Sequence, residues 1–471
     1  MGYLSRSHLS RLCGDALMVS RRSFLGHGCS LGVAATTLTS SMATLGFARR
    51  AAAQQSFSDY KALVCVCLNG GNDSYNMLVP ADSDQHTEYE SIRTDLALEQ
   101  STLLTLPGTS TDGRSFGLHP NMSETADLYG EGDIAFIANV GTLIDYVDAA
   151  AVEAGARVPL GIGSHNDQIA QWQTARPDRR VPEGWGGRLA DLMQEVNADN
   201  GISMNISLGG TNAFQTGKRT VEYAINRDDD GARRIWGYEG EWKKTVIDRL
   251  FEAQHDHPFR REYKRRLVSA IDTGERFVEA IRNGTPVDTT FSEGDFSTGL
   301  RQIARVIAAR EQLEASRQTF FINVWGWDHH DEVLDNHVRM LPEISLGLAE
   351  FKSALIELGV FDQVSTFTIS DFGRTLTTNG KGSDHGWGGH QMVMGGAVRG
   401  GQIYGDYPTL SSSSPLDVGR GVYVPTTAVD QYFAELALWF GVSQSDLPLV
   451  LPNVRRFYSA SDTSPPLGFL A

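Results

Sequence analysis

Cysteine is scarce in this sequence, with four in 471 residues. Two of them, Cys65 and Cys67, stand in the run "ALVCVCL", where alternate residues share one face of a strand. The low count excludes a small scaffold held together by disulfides. We expect both thiols to be buried and to act as small hydrophobic side chains.

Basic residues are outnumbered, with 41 Lys and Arg against 57 Asp and Glu and a net charge of −16. Residues 1–53 contain six arginines and one aspartate, so the rest of the chain carries a charge of −21. Such a surface repels nucleic acid and anionic membranes. We therefore expect no nucleic-acid partner.

Long apolar runs are also missing. The stretch "CSLGVAATTLTSSMATLGF" is diluted by Gly, Ser and Thr, whereas a membrane span needs about 20 largely apolar residues. It lies between "SRRSFLG" and "ARRAAAQQ", which supply a charged start and small residues suited to cleavage near Ala51–Ala53. Paired Arg21 and Arg22 before Phe-Leu are typical of twin-arginine export.

These features predict a twin-arginine signal peptide over residues 1–53 and a folded domain over residues 54–471. The predicted partner is the twin-arginine export machinery, and the processed protein is expected to have no membrane span. Its expected location is periplasmic or secreted.

Apolar strands alternate with helices along the folded part. Strand patterns occur in "ALVCVCL", "DIAFIANV", "TFFINVW", "VSTFTIS" and "HQMVMGGAV", and helical patterns in "TGLRQIARVIAAREQLEASR" and "LPEISLGLAEFKSALIELGV". This alternation predicts an α/β fold with a mostly parallel sheet and helices on both faces.

A middle region, about residues 214–299, is richer in charge and poorer in strand patterns. We predict a helical insertion here. The alternative is a long disordered loop. It is disfavoured because the region contains apolar side chains that can anchor it to a core, namely Trp236, Trp242, Phe251 and Phe259.

Acidic residues follow the predicted strands. "ALVCVCLNGG" ends at Asp73, "TFFINVWGW" at Asp328 and His330, and "VSTFTIS" at Asp371. Carboxyl ends of parallel strands line one edge of a sheet, where ligands bind. The glycine-rich segment "GSDHGWGGH" supplies further acid and histidine. The predicted metal ligands are Asp73, Asp328, His330, Asp371, Asp384 and His385.

Carboxylate oxygen together with imidazole nitrogen suits zinc or manganese better than calcium. For any one of these acids the alternative is a turn residue or a helix N-cap. Four such segments at one edge favour a divalent metal.

Two further residues carry alternatives. Ser164 in "GSHND" is either a metal-activated nucleophile or the N-cap of the next helix, and taken alone it favours the cap. A direct relay to His165 is disfavoured because neighbouring residues in an extended chain point to opposite sides. Arg374 either holds an anionic oxygen or pairs with an acid.

The motifs "LNGGNDSYNMLVP", "SHNDQIAQWQT", "NVWGWDHH", "ISDFGRT" and "SDHGWGGHQMVMGG" resemble the domain of unknown function family 1501. Its members are exported, mostly twin-arginine proteins related to the alkaline phosphatase and sulfatase superfamily. The resemblance implies an α/β core with one or two divalent ions. It also implies a nucleophile that attacks a phosphate or sulfate ester.

By resemblance, Asp73 is the first-strand ligand and Ser164 stands where a nucleophile is needed. Asp328 and His330 form one ligand group, Asp371 belongs to another, and His385 is the late histidine. Phe372 departs from the superfamily, which has histidine at that place.

Together these patterns predict an exported metal-dependent hydrolase of phosphate or sulfate esters. In it Arg374 offsets the negative charge that develops on the leaving group. The alternative is a non-catalytic binding or envelope-assembly protein on a degenerate phosphatase or sulfatase fold. The expected partner is a small anionic ester or an envelope polymer.

Overall fold

The computed structural model describes residue 57 and residues 59–108, 110, 112–197, 201–227, 230–232, 240–252, 256–411, 413–459 and 461–471. These residues fall in a compact unit, Gln55–Ala471. The predicted signal peptide over residues 1–53 lies outside the described residues.

The strands, in chain order, are β1 (Lys61–Asn69), β2 (Leu78–Pro80), β3 (Leu104–Thr105), β4 (Phe116–Leu118), β5 (Ile134–Gly141), β6 (Asn205–Ser207), β7 (Tyr223–Ala224), β8 (Arg317–Trp325), β9 (Val364–Ser370), β10 (Arg374–Thr378), β11 (Ser383–His385), β12 (Gly389–Met394), β13 (Ile403–Tyr404) and β14 (Thr427–Ala428). The helices are α1 (Ser83–Arg93), α2 (Ser123–Glu131), α3 (Ala149–Glu153), α4 (His165–Thr174), α5 (Trp185–Leu192), α6 (Glu241–Glu252), α7 (Pro258–Asn283), α8 (Asp295–Ala308), α9 (Val333–Glu357), α10 (Val429–Phe440) and α11 (Leu447–Val450).

The main sheet contains nine strands within the described ranges, in the order β13-β5-β12-β9-β1-β8-β6-β7, with β14 also paired to β5. Strand β1 is parallel to both neighbours, and β12 is antiparallel to β5 and β9. Asn69 pairs with Trp325 and Leu68 with Ser370, so β1, β8 and β9 end at one edge. The prediction of a mostly parallel sheet is confirmed.

Helices cover both faces of this sheet, as predicted. On one face, Val64 of β1 belongs to a buried apolar cluster with Ile303 of α8. On the other face, the Trp185 ring of α5 stacks on Phe433 of α10 at 4.7 Å and lies 5.8 Å from Phe367 of β9. Burial of both faces explains why the central strands read as continuous apolar runs.

The two cysteines of β1 are fully buried and their thiols are free. This confirms that Cys65 and Cys67 serve as small hydrophobic side chains. Burial raises the pKa of both thiols well above the usual value, so both stay protonated at neutral pH.

The middle region contains helices α6 and α7, and it also contributes the edge strand β7 to the main sheet. The expectation that its aromatic residues are core anchors is wrong for two of them, since Trp242 is 69% exposed and Phe259 is 81% exposed. Phe251 is half-buried, and Trp236 lies outside the described residues. The core packing of α7 begins only at Thr273.

No helix in the described part of the chain combines the length and the apolarity that crossing a bilayer requires.

Candidate metal centre

The site lies at the edge where β1, β8 and β9 end. Gly70, after β1, has a φ of +123°, and a Cβ at this position would lie 2.5 Å from the backbone nitrogen of Asp328. Only glycine tolerates both the conformation and the close approach. The Gly70 amide also donates to Asp371 Oδ1 at 3.1 Å. Two of the predicted strand-end acids are thus brought into neighbouring positions.

Asp328 lies at the centre of three histidines. Its Oδ1 is 3.2 Å from His330 Nε2 and 3.5 Å from His385 Nε2. Its Oδ2 is 3.4 Å from His165 Nε2. The Nε2 atoms of His330 and His385 are 2.8 Å apart. One carboxylate therefore faces three imidazoles that come from separate segments of the chain.

The opposite ring nitrogen of each histidine is held by an oxygen acceptor. The acceptors are Asp371 Oδ2 for His165 (2.7 Å), Asp384 Oδ1 for His330 (3.0 Å) and the Gly163 carbonyl for His385 (2.6 Å). Because an ionised carboxylate or a carbonyl only accepts, each Nδ1 carries the proton. In the neutral form of each imidazole, Nε2 then presents a lone pair to Asp328.

This arrangement fits a divalent cation. Lone pairs that face a carboxylate and one another repel unless a positive charge lies among them. His165, Asp328 and His385 form a group whose ligand atoms all lie within 4.8 Å of one another. Ligand bonds of about 2.0–2.2 Å place donor atoms about 3–4 Å apart, which agrees with most of the measured separations.

The protonation states agree with metal binding. Burial raises the pKa of Asp328, but the hydrogen bond and charge of Arg374 outweigh burial, so the pKa lies below its usual range. Burial lowers the pKa of His385, and the nearby His165 and Arg374 lower it further. A carboxylate and a neutral imidazole are the forms that bind metal.

Arg374 is engaged entirely by the protein. Its buried side chain donates from Nε to the Gly71 carbonyl and from Nη1 to the Ser383 carbonyl, both at 2.8 Å. Its Nη2 donates to the Gly70 carbonyl at 2.8 Å and to Asp328 Oδ1. This geometry favours the alternative that Arg374 pairs with an acid over the role at a leaving group. Arg374 instead holds Asp328 and the strand-end loops in place.

Asp73 does not join the three-histidine cluster. It is fully buried, with Oδ2 bound to Arg93 Nη2 at 2.8 Å and to the Ser383 hydroxyl at 2.7 Å. Burial raises the pKa of Asp73, but the Arg93 charge outweighs burial and the pKa lies below its usual range. Because Arg93 already balances this carboxylate, the geometry is against the predicted role as a metal ligand.

Asp371 and Asp384, also predicted as ligands, position histidines instead. Burial raises the pKa of Asp371, opposed by hydrogen bonds from Gly70 and His165. The Asn379 hydrogen bond, together with Arg420, holds the pKa of Asp384 well below its usual range. Carboxylates that orient metal-binding imidazoles in this way are usual around metal sites.

Ser164 is the N-cap residue of α4, as the cap alternative predicted, but its side chain makes no capping hydrogen bond to the helix backbone. The residue lies between Gly163, which holds His385, and His165, which faces Asp328. Ser164 is thus adjacent in sequence to two contributors to the cluster.

His165 is the site residue that the sequence pattern did not identify as a ligand. The only local signal was its place in the glycine-rich stretch "GIGSHND". The Phe372 ring lies 4.9 Å from the His165 ring and 4.6 Å from the His385 ring. Phe372 thus packs beside two of the three clustered histidines.

Three further histidines form a second buried cluster, in which neither ring nitrogen of His337 has a hydrogen-bond partner among the described residues. His337 lies with its ring 5.8 Å from His119 and 5.4 Å from His329, and all three are buried. Among the described residues these rings form no group of ligand atoms within 4.8 Å of one another. His390 stacks on Tyr407 at 4.5 Å.

Comparisons with known proteins bear on the family. Three solved structures are similar over most of the chain, and the first, Ps i-CgsB, has 9% identity and a TM-score of 0.34, with 86% of this chain and 78% of that chain covered. The second is the lipoteichoic acid synthase LtaP from Listeria monocytogenes, with 7% identity, a TM-score of 0.31, and 85% of this chain and 76% of that chain covered. The third is the C-terminal periplasmic domain of EcEptC from Escherichia coli in complex with Zn, with 10% identity, a TM-score of 0.32, and 88% of this chain and 93% of that chain covered. At these TM-scores the likeness carries no argument about chemistry.

No curated protein matches the chain. The family model described as protein of unknown function (DUF1501) matches residues 248–446, which confirms the resemblance seen in the motifs. Over residues 248–446 this chain is therefore similar to the DUF1501 family.

Proposed function

We propose that this protein is an exported metal-dependent hydrolase of phosphate or sulfate esters. The observation that carries the proposal is the convergence of three Nε2 lone pairs on Asp328, with each Nδ1 already donated to an oxygen. A protein that used these histidines only for packing would not direct their acceptor atoms toward a carboxylate.

The residues that would hold the ion are His165, His330, His385 and Asp328. Zinc or manganese suits this mixed nitrogen and oxygen set better than calcium. A divalent ion bound there would polarise an ester oxygen as a Lewis acid.

An exposed cation is available for the anionic part of a substrate. The Arg420 side chain is 62% exposed and pairs with Asp384, which in turn holds His330. In the proposed enzyme the Arg420 guanidinium binds phosphate or sulfate oxygens, which is the role that the sequence pattern predicted for Arg374. Ser164 is the proposed nucleophile, since it stands between two contributors to the cluster.

The alternative is a non-catalytic binding or envelope-assembly protein. Two observations favour it. Phe372 stands where the family resemblance implies a histidine, and the Arg374 donors are bound to the protein. A metal ligand and a stabiliser of developing charge would then both be missing.

We expect wild-type protein loaded with zinc or manganese to hydrolyse at least one of an aryl phosphate, an aryl phosphodiester and an aryl sulfate. Ser164→Ala should lower kcat at least about 100-fold while bound metal and the free energy of unfolding change little, because the hydroxyl makes no capping bond. The measurements are release of the aryl alcohol and metal content.

The control is Ser445→Ala, a serine in the loop before α11. No turnover of any of the three esters by metal-loaded wild type would reject the enzyme and favour the binding protein. Turnover that survives Ser164→Ala would retain the enzyme and assign the attack to water.

Export by the twin-arginine route is part of the proposal, supported by Arg21 and Arg22 ahead of the apolar stretch. Replacement of both arginines by lysine is expected to leave the precursor in the cytoplasm, because the receptor reads the arginine pair. Cell fractionation with N-terminal sequencing checks this, with an N-terminus near Gln54 expected for wild type. Equal export of the double-lysine variant would show another route.

A further inference from the structure

Helix α7 is poorly buried in its first half. Residues 258–272 contain no buried side chain, and the core contacts of the helix start at Thr273. Fifteen helical residues span about 22 Å. Packing against this chain therefore does not account for the first half of the helix.

The apolar residues of this half form a stripe. Phe259, Tyr263, Leu267 and Ile271 follow one another at intervals of four, which places them on one side of a helix. Phe259 is 81% exposed and Tyr263 is 70% exposed, whereas Leu267 and Ile271 are half-buried. The stripe thus becomes more exposed toward the start of the helix, at the aromatic pair.

The same residues carry an unusual charge. Positions 258–267, which we name the basic-aromatic segment, contain five basic residues and one acid, Glu262, a net charge of +4 in a chain of −16. Glu262 pairs with Arg265 at 2.7 Å and Arg266 at 2.8 Å, which stabilises the helix without burying it. Locally the sign of the surface is therefore reversed.

We propose that the basic-aromatic segment docks on an anionic phospholipid surface. A helix with exposed aromatic residues among arginines and lysines lies in the headgroup region, where the rings enter the interface and the cations meet lipid phosphates. The acidic remainder of the chain is repelled by the same surface, which leaves this segment as the point of contact.

A second copy of the chain is the competing occupant. The observations favour the membrane, because self-association through this face would bring together two segments of charge +4. The inference is independent of the proposed hydrolase, since it rests on residues far in sequence from the ligands of the metal centre.

The test is cosedimentation of the protein that begins at Gln55 with vesicles of phosphatidylcholine containing about 30% phosphatidylglycerol. We expect wild type to bind at low salt and to be released at about 0.5 M salt. Phe259→Ser with Tyr263→Ser, and separately Arg260→Gln with Arg261→Gln, should each weaken binding at least about tenfold.

The matched control is Val338→Ser with Ile356→Ser, two apolar residues of α9 that are 50% and 54% exposed, and it should bind as wild type does. Circular dichroism checks that each variant is folded. Equal binding by all variants, absence of wild-type binding, or equal binding to vesicles of phosphatidylcholine alone would overturn the proposal. Sedimentation velocity showing a lipid-free dimer that Phe259→Ser with Tyr263→Ser dissociates would also overturn it.

Discussion

Replacement of His385 by alanine is expected to weaken zinc binding at least about 100-fold, because it removes one of the lone pairs that converge on Asp328. His330→Ala should have the same effect, since its Nε2 is 2.8 Å from that of His385. Isothermal titration calorimetry on protein stripped with a chelator measures the affinity, and elemental analysis measures the metal content.

The control is His257→Ala, an exposed histidine before α7, which should retain full affinity. A smaller effect is expected from Asp384→Asn, because the amide oxygen still accepts from His330 Nδ1 but the negative charge is lost. The affinity for zinc should fall about 10–100-fold. Wild-type protein that binds neither zinc nor manganese would reject the metal centre. His385→Ala protein that binds as wild type does would reject the ligand assignment.

Arg374→Met is expected to lower the free energy of unfolding by about 3–5 kcal/mol in metal-free protein, because the carbonyls of three buried residues lose their hydrogen-bond donor. The substitution leaves Asp328 without its arginine and leaves the carbonyls of Gly70, Gly71 and Ser383 without a donor. Urea denaturation followed by circular dichroism measures the change.

The matched control is Arg180→Met. This arginine also forms a pair with a carboxylate, Asp167, but its side chain is 77% exposed, so stability should change little. A loss under about 1 kcal/mol for Arg374→Met would mean that the strand-end loops keep their arrangement without the guanidinium.

Much of the fold could be predicted because the signals for it are local. The apolar runs that form β1, β8 and β9 are buried on both faces of the sheet. A continuous apolar run of this length indicates a buried strand without any knowledge of the strands that pair with it. The strand-end position of Asp328 and Asp371 was predictable for the same reason, since chain order and parallel pairing place these residues at one edge.

The roles of the acids could not be predicted in the same way. Asp371 and Asp328 follow strands in equivalent fashion, yet one holds a histidine and the other faces three Nε2 atoms. That difference depends on His165, which comes from a helix more than 150 residues earlier in the chain. Sequence spacing carries no information about such a contact.

The exposure of aromatic side chains in the middle region also could not be predicted from the sequence. Trp242 and Phe259 have the apolar character of anchors, but a helix buries its aromatic residues only where another element lies against it. In this protein no side chain in the first half of α7 is buried.

The sequence by itself determined the α/β class, the parallel central strands, the buried free thiols of Cys65 and Cys67 and the edge at which polar residues gather. Those properties follow from periodicity and chain order. Only the tertiary structure decided which polar residues contact one another. Arg93 forms an ion pair with Asp73, and Arg374 donates to backbone carbonyls. His165 lies beside Asp328 in the histidine cluster. The physical reason is that hydrogen bonds and ion pairs select partners by distance and direction, and for residues far apart in the chain these are set by packing alone.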